Sequence, residues 1–419
     1  MRRLSGTEAA FAHAHTLLRG SGRLTVSFAV DGALPPELIE RAVGPWVRRL
    51  PSLSLRIEDT GDDGLRFCQG APGPYSLPPP SAVSGTDDEL AEGQRLWRLW
   101  AGHDRTGSTR FRLTLHPAIC DGYSTGRFVR PLLDALLGAS GGQNVRGRAQ
   151  PLPPDTDTLT YEGGGPCSCG GCVPSAWPRP GARRSVAPYA GHEAGPGERR
   201  AGPGGGAADP VALTLTPYES RRLRDWCGAR QLTVGGFLAA VLAGPLARET
   251  GRGEVTVATA LSLRRRFAER ALITEPGCAL GVIRVPLRPV AGDDAVVGAG
   301  AHARALCPAV RAWRPDRRGH AGIRRAVERD AVDSGVPELR VTDAGSVDTV
   351  LGPHLRRVTG FRAAAASGDG PPGAALYLSS FRGALTVALT SRGLGPGWLR
   401  AAEQALAAAV YLRPADFPG

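Results

Sequence analysis

The sequence contains no lysine and only one methionine, so all 51 of its fixed positive charges are arginines. It also contains no run of about 18 apolar residues, which excludes a single transmembrane helix. Its eight cysteines are too few for a disulfide scaffold in a chain of 419 residues, and this scarcity favours a reducing cytoplasm. No apolar segment follows the two arginines near the N-terminus, so we expect no secretory signal peptide and a cytoplasmic location.

Acidic residues are also in the minority, because 39 of them against 51 arginines leave a formal net charge of +12 and a pI of about 10.0. Such a charge attracts anionic partners, including nucleic acid, nucleotides and acidic proteins. Aromatic residues make up only 6% of the chain and do not alternate with arginines in a stripe, and no zinc-finger pattern occurs. We therefore expect neither nucleic acid nor a membrane as partner, and we favour an acidic protein.

A segment rich in glycine and proline divides the sequence into two parts. It covers roughly residues 139–209 and lacks apolar periodicity, which is typical of a long loop or linker. The parts on either side, residues 1–138 and 210–419, each mix strand-like and helix-like patterns, in matching order in places. The sequence therefore predicts an α/β (α+β) fold of two related lobes.

Local patterns predict the elements that position the motifs. Ser5 followed by Glu8 is the pattern of a capping box at the start of a first helix. Alternating apolar residues predict strands, among them 24–30, 52–57, 110–115, 339–341 and 374–377. An apolar period of 3.6 residues predicts helices, among them 36–50, 126–137, 234–249 and 397–411.

The segment from Leu115 to Thr125, which reads LHPAICDGYST, carries the strongest chemical signal. It predicts a strand that ends at Leu115, a turn at Asp121 and Gly122, and a helix that begins just beyond. His116 then lies at a strand-to-helix turn, where an imidazole is well placed to accept a proton from an attacking hydroxyl or amine. A structural histidine fits the same position, so the segment alone leaves both interpretations open.

This segment resembles the HHxxxDG motif of the chloramphenicol acetyltransferase-like superfamily, which includes nonribosomal peptide condensation domains and polyketide-associated acyltransferases. Within that group the sequence is most similar to acyltransferases of the phthiocerol dimycocerosyl transferase type. Further segments resemble family motifs in the same order, and the similarity covers nearly the whole chain except the linker. These segments are residues 4–8, 50–53, 231–234, 260–264, 279–281 and 341–346.

The resemblance implies a V-shaped pair of lobes with a tunnel, which an acyl thioester and an acceptor enter from opposite faces. It implies acyl transfer to an alcohol or amine in natural-product biosynthesis, by a monomer that requires no cofactor. The thioester would be carried by an acidic carrier protein or by CoA. In the family the Asp of the motif pairs with an Arg of the second lobe, so we expect Asp121 and Arg264 to form a buried ion pair and Gly122 to shape the turn.

One position departs from the family pattern. The second His of HHxxxDG is the general base in the family, and here Pro117 stands in its place, with His116 in the place of the first His. Three hypotheses follow from this departure. In the first, His116 has taken over as the base. In the second, the site works by positioning its substrates or catalyses cyclisation. In the third, the chain is a non-catalytic module that recruits a carrier protein, an enzyme or a small molecule.

Two other side-chain types near the motif are candidates for chemistry. Cys120 directly precedes Asp121, and its thiol becomes a nucleophile if a neighbour such as His116 lowers its pKa. A small buried core residue is the alternative, since free cysteine is among the most buried residue types. We interpret His13 and His15 as ordinary residues of the first helix.

A cysteine cluster in the linker raises the question of a metal. Cys167, Cys169 and Cys172 stand close together in a glycine-rich segment and predict a structural zinc site, with His192 or water as the fourth ligand. Free thiols in a loop, or a local disulfide formed on purification, are the alternatives.

Overall fold

The computed structural model describes residues 2–61, 64–70, 75–76, 96–104, 107–138, 156–157, 211–264, 276–289, 295–332, 336–366, 368 and 371–410. Almost all of the linker lies outside these residues. Within the described residues the chain forms three β-sheets and nine α-helices, as a mixed α/β fold should.

The strands are β1 (Arg2–Arg3), β2 (Leu24–Val30), β3 (Leu55–Asp59), β4 (Leu65–Gln69), β5 (Tyr75–Ser76), β6 (Trp97–His103), β7 (Thr109–Leu115), β8 (Val211–Leu215), β9 (Val255–Ser262), β10 (Leu280–Leu287), β11 (Glu338–Ser346), β12 (Val358–Ala365), β13 (Gly373–Phe381) and β14 (Ala384–Arg392). The helices are α1 (Gly6–Leu17), α2 (Pro36–Arg49), α3 (Thr125–Leu137), α4 (Pro217–Ala229), α5 (Val234–Thr250), α6 (Ala295–Ala312), α7 (His320–Val332), α8 (Asp348–Leu351) and α9 (Pro396–Val410).

The N-terminal sheet has the strand order β12-β2-β7-β6-β5. Strand β2 alternates as the sequence predicts, with every second side chain from Leu24 to Val30 buried. Helices α2 and α3 share a core with this face, where the indole N–H of Trp46 donates to the carbonyl oxygen of Phe128 at 2.8 Å. A hydrogen bond of this kind lets a tryptophan bury its whole ring without leaving its N–H unsatisfied.

Helix α1 begins where the sequence predicts. The Ser5 hydroxyl accepts a hydrogen bond from the Glu8 backbone N–H at 3.2 Å, and the Glu8 carboxylate accepts one from the Ser5 backbone N–H at 2.8 Å. The predicted capping box is therefore confirmed. Glu8 also pairs with Arg2 at 2.7 Å, which fixes α1 against the small sheet of order β1-β4-β3.

The C-terminal sheet has the strand order β10-β9-β11-β13-β14-β8. Strand β11 lies at its centre and runs parallel to both neighbours, whereas the other strand pairs are antiparallel. Leu339 and Val341 of β11 face a core that includes residues of helices α4, α5 and α9. Side chains alternate along a strand, so Arg340 and Thr342 face the other way, toward the N-terminal part of the chain.

Among the described residues, no single helix combines the length and hydropathy needed to cross a membrane. Helices α4 and α5 reach both only as a pair, and that pair is bent by 92°.

Strand β12 joins the two large sheets and is absent from the sequence-based expectations. It follows β11 in the C-terminal part of the chain, yet it pairs antiparallel with β2 at the edge of the N-terminal sheet. Its sequence, VTGFRAAA, alternates too weakly to signal a strand. The strand predicted to begin at residue 52 begins three residues later, at Leu55. The reason is that Pro51 opens a 3-10 helix over Pro51–Ser54.

Because β12 belongs to both parts of the structure, damage to it should destabilise both sheets. The Phe361→Ala variant removes a side chain that is only 4% exposed, and we expect it to lower the free energy of unfolding by about 3–5 kcal/mol. Hydrogen exchange, followed by mass spectrometry, should show reduced protection in peptides from both β7 and β13. Val332→Ala is the control, since that side chain is 89% exposed. Loss of protection in only one of the two sheets would contradict the coupling.

Candidate functional site

The motif segment folds as a strand end, a loop and a capped turn. Strand β7 ends at Leu115, and a 3-10 turn over Gly122–Ser124 leads directly into α3. The Asp121 carboxylate caps this turn, because its Oδ1 accepts hydrogen bonds from the Ser124 backbone N–H at 2.9 Å and from the Ser124 hydroxyl at 2.8 Å. A short polar side chain at an N-cap position satisfies backbone donors that the turn itself cannot satisfy.

The other carboxylate oxygen of Asp121 binds the guanidinium of Arg264, which lies two residues after the end of β9. This oxygen also accepts the Ala279 backbone N–H at 3.0 Å. Both side chains of the pair are almost fully buried, with 2% of Arg264 and 4% of Asp121 exposed. The ion pair expected between these residues is therefore confirmed, and it joins the motif turn to the C-terminal sheet.

Ser124 forms a second link at the same place. Its hydroxyl oxygen lies 2.8 Å from the Arg264 Nη2, 3.0 Å from the Gly277 backbone nitrogen and 2.9 Å from the Gly277 carbonyl oxygen. Segments on both sides of the β9–β10 connection thus converge on one hydroxyl. The sequence analysis did not identify Ser124 or Gly277, because no local pattern marks a contact between residues 153 positions apart.

Gly122 allows the turn to approach β11 closely. A Cβ atom at this position would lie 2.6 Å from the Thr342 Cγ2, closer than van der Waals contact allows. The Tyr377 hydroxyl donates to the Gly122 carbonyl oxygen at 3.3 Å, and the Thr125 hydroxyl donates to it at 2.9 Å. Burial raises the pKa of the Tyr377 hydroxyl, which keeps it protonated as a donor.

His116 is buried, and its lone pair is already engaged. Its Nδ1 accepts a hydrogen bond from the Ala118 backbone N–H at 3.1 Å, so the neutral ring carries its proton on Nε2. Burial lowers the pKa of His116 well below the ordinary histidine value, and the neighbouring His15 adds to this effect. A neutral ring whose basic nitrogen is occupied is poorly suited to accept a proton from a substrate.

His15, which the sequence analysis interprets as an ordinary residue of the first helix, lies against His116. Its ring lies edge-on to the ring of His116, with 4.3 Å between the ring centroids. Burial, assisted by the positive charge of Arg23, lowers the pKa of His15 to about 4. The two histidines therefore form a neutral, buried pair at neutral pH. His13, on the same helix, has a pKa lowered by burial and then by Arg324 and His320.

Pro117 and Cys120 are both buried in the loop between His116 and Asp121. The Cys120 thiol donates to the carbonyl oxygen of Asp121 at 3.3 Å. Burial and then the nearby Asp121 carboxylate raise its pKa well above the ordinary thiol value, which disfavours the thiolate that a nucleophile requires. This environment favours the structural interpretation of Cys120 over a nucleophilic one.

The zinc hypothesis stays a prediction. Cys167, Cys169, Cys172 and His192 lie outside the described residues. Within the part of the chain that the structure does describe, no group of three or more His, Cys, Asp or Glu side chains is arranged to hold a metal ion.

A double-mutant cycle tests the buried ion pair. Asp121→Asn and Arg264→Gln should each lower the free energy of unfolding by about 3–5 kcal/mol, because each leaves a buried polar group without its partner. The double variant should lower the free energy of unfolding, measured by urea unfolding, by clearly less than the sum of the two single losses. Arg324 and Glu328 are the control pair: they lie 2.9 Å apart on the surface of α7, and their cycle should give at most about 1 kcal/mol. Additive losses at Asp121 and Arg264 would contradict the coupling.

The pH dependence of stability tests the histidine pair. Below pH 6.5 the unfolded chain protonates His15, whereas the folded chain does so only near pH 4. The free energy of unfolding should therefore fall as the pH is lowered from 6.5 to 4, by about 3 kcal/mol from this residue. His15→Gln should remove most of this contribution to the pH dependence. Equal slopes for wild type and His15→Gln would overturn this assignment.

Comparison with known proteins identifies the fold. No protein-family model matches the chain, and no curated protein sequence matches it. Polyketide synthase associated protein 5 from Mycobacterium tuberculosis is 15% identical, with a TM-score of 0.64 and 98% of each chain covered. The first condensation domain of the calcium-dependent antibiotic synthetase is 15% identical, with a TM-score of 0.61 over 98% of this chain and 96% of that one. Trichothecene 15-O-acetyltransferase from Fusarium sporotrichioides is 14% identical, with a TM-score of 0.63 over 98% and 95%. The chain therefore has the two-lobed chloramphenicol acetyltransferase-like fold of condensation domains.

Proposed function

We propose that the protein transfers an acyl group from a thioester to an amine or alcohol in a natural-product pathway. We further propose that it does so by positioning its substrates, without an imidazole base. The observation that carries this proposal is the intact junction of Asp121, Ser124 and Arg264, which fixes the motif turn although Pro117 occupies the position of the usual base.

Structural relatives support the reaction class. One protein that shares the fold is, by its name, an O-acetyltransferase, and another is a condensation domain. The first name describes the transfer of an acetyl group to an oxygen atom, and the second describes a condensation. These names, together with the resemblance of the motif, support acyl transfer as the proposed reaction class.

The energetics of acyl transfer allow a site to work without a base. Holding two reactants in a productive geometry contributes about 7–11 kcal/mol. A general base typically contributes a factor of about 100 to 10,000 in rate, which corresponds to roughly 3–5 kcal/mol. Positioning is therefore the larger contribution to lowering the activation free energy, and a site that keeps it retains most of that lowering when the base is lost.

The proposed reaction needs no further reactant. The acceptor nitrogen or oxygen attacks the thioester carbonyl carbon, and the tetrahedral intermediate collapses with cleavage of the carbon–sulfur bond. The acceptor proton passes to solvent, and the thiolate leaves and takes a proton from solvent. In this scheme Gly122 brings the turn against β11, and His116 is a positioning residue that holds the loop through the Ala118 N–H.

Cyclisation of a pathway intermediate is the second candidate function, and Pro117 is the observation that favours it. A proline cannot take part in proton transfer, so its presence is consistent with a site that no longer deprotonates an external acceptor. A cyclase would convert a single substrate into a product of equal mass, or of a mass reduced by one water.

Mass spectrometry of the reaction products distinguishes these functions. We expect wild type to add an acyl group to the acceptor only when an acyl thioester is present. A product that forms without the donor would contradict acyl transfer and support cyclisation. Binding without any product would contradict both and support the recruitment of a partner.

Two variants test the role of His116. His116→Asn keeps an acceptor for the Ala118 N–H, so we expect kcat to fall less than tenfold, whereas loss of a general base typically costs a factor of 100 or more. Pro117→His introduces an imidazole where the family has its base, and we expect it to raise kcat. A loss of 100-fold or more in a folded His116→Asn variant would contradict the proposed mechanism.

A further inference from the structure

The carboxylate of the motif turn is fully engaged in hydrogen bonds. A carboxylate offers about four lone-pair sites. The Asp121 Oδ1 accepts two hydrogen bonds from Ser124, and its Oδ2 accepts one from Arg264 and one from the Ala279 backbone N–H. A general base acts through a lone pair that reaches the proton it removes. Asp121 therefore cannot act as a base without breaking the junction that it forms.

The two histidines beside the turn are poor proton acceptors. The His116 Nδ1 accepts the Ala118 backbone N–H at 3.1 Å. The His15 Nδ1 makes no hydrogen bond to the described residues, but burial and then the charge of Arg23 lower the pKa of His15 to about 4. A general base works best when its pKa is near the working pH, so a base as weak as His15 is inefficient at neutral pH.

Two more polar groups at the turn keep their protons. The Cys120 thiol donates to the Asp121 carbonyl oxygen, and the Tyr377 hydroxyl donates to the Gly122 carbonyl oxygen, both at 3.3 Å. Burial raises the pKa of the thiol and the pKa of the phenol, so both groups are protonated at neutral pH. Pro117 has no titratable group. Each of these described candidates for a base is thus occupied, protonated or too weak.

The histidine pair also shows how its surroundings act on a positive charge. Burial is the first cause of the lowered pKa of His15 and of the lowered pKa of His116. A basic group of a ligand that binds beside this pair loses its water in the same way, which disfavours the ammonium form. An amine therefore leaves its extra proton in the solvent when it binds here, and it keeps a lone pair for attack.

Nitrogen and oxygen nucleophiles differ in their need for a base. When a hydroxyl attacks a thioester carbonyl carbon, its oxygen becomes positively charged and strongly acidic. The intermediate then reverts unless a base removes the proton as the bond forms. A neutral amine instead becomes an ammonium group, which can release its proton to solvent after the bond has formed. A site without a base therefore loses more rate with an alcohol, by up to the factor of about 100 to 10,000 that a general base contributes.

We propose that the acceptor of this site is an amine and not an alcohol. The inference rests on the proposed acyl transfer and specifies its acceptor. The amine nitrogen bonds to the thioester carbonyl carbon, and the carbonyl electron pair moves to the oxygen. The nitrogen then releases a proton to water, the carbonyl group re-forms and the carbon–sulfur bond breaks. The thiolate leaves and takes a proton from water, so the products are an amide and a thiol.

Two acceptors of matched shape test the proposal with the full-length protein. Benzylamine and benzyl alcohol differ only in the attacking group, and acetyl-CoA is the donor for both. Mass spectrometry should follow the amide and the ester after subtraction of the rates without protein. We expect wild type to form the amide faster than the ester by a factor of about 100 or more. An ester that forms within about tenfold of the amide rate would overturn the proposal.

Pro117→His tests the physical reason for this selectivity. The variant places an imidazole next to His116, and a base assists an alcohol more than an amine. We expect the ratio of amide to ester to fall by about tenfold or more. An unchanged ratio in a variant with a wild-type melting curve would overturn the proposal.

Pro35→His is the matched control. Pro35 is exposed at the start of α2, and the Leu34 backbone beside it binds Thr109, at the opposite end of β7 from the motif turn. The control should leave the ratio of amide to ester unchanged. An equal fall of the ratio in both proline variants would contradict the assignment of the effect to the motif turn.

The products separate a failure of this inference from a failure of the proposed function. Ester formation at a rate comparable to that of the amide demonstrates acyl transfer but overturns the choice of acceptor. If neither acceptor is acetylated by wild type or by Pro117→His, the proposed acyl transfer is contradicted, and the inference with it. If Pro117→His does not fold, the two rates of wild type decide the question alone.

Discussion

The pairing of Asp121 with Arg264 holds the candidate site together. A buried carboxylate and a buried guanidinium each lose their water, and their attraction compensates for this only when the remaining hydrogen-bonding groups are satisfied. Here the Asp121 carboxylate also accepts hydrogen bonds from the Ser124 hydroxyl, the Ser124 backbone N–H and the Ala279 backbone N–H. The Arg264 guanidinium donates to the Gly277 carbonyl oxygen. The motif turn is therefore fixed to both ends of the β9–β10 connection, at the place where Gly122 lies against Thr342 of β11.

The ion pair that shapes the site is present, whereas the histidine that serves as base in the resembled family is replaced by Pro117. Retaining the ion pair preserves the relation between the N-terminal turn and the C-terminal sheet, and the proposed mechanism depends on this relation to position its substrates. Pro117 and the hydrogen-bonded His116 remove the imidazole that would otherwise accept a proton. A junction that is present without the base is what the proposed positioning mechanism requires, since the geometry then makes the larger contribution.

The sequence predicted the local parts of this site and, through the family resemblance, one long-range contact, and it missed the other long-range contacts. The capping box at Ser5, the strand ending at Leu115 and the helix after the turn follow from local patterns, and the Asp121–Arg264 pair was reached through the family resemblance. The contacts of His116 with His15 and of Ser124 with Gly277 join distant segments, which no local period encodes. Strand β12 was missed for the same reason, because its place in the N-terminal sheet depends on β2 and not on its own weak alternation.

The pH dependence of kcat/KM, measured with two amine acceptors of different basicity, tests the central claim most directly. If the site positions substrates without an imidazole base, the rate should rise with pH along the ionisation curve of the acceptor. Its apparent pKa should then move when the acceptor is changed. An apparent pKa that stays the same for both acceptors, and that disappears in the His116→Asn variant, would show that His116 is the base and would contradict the account.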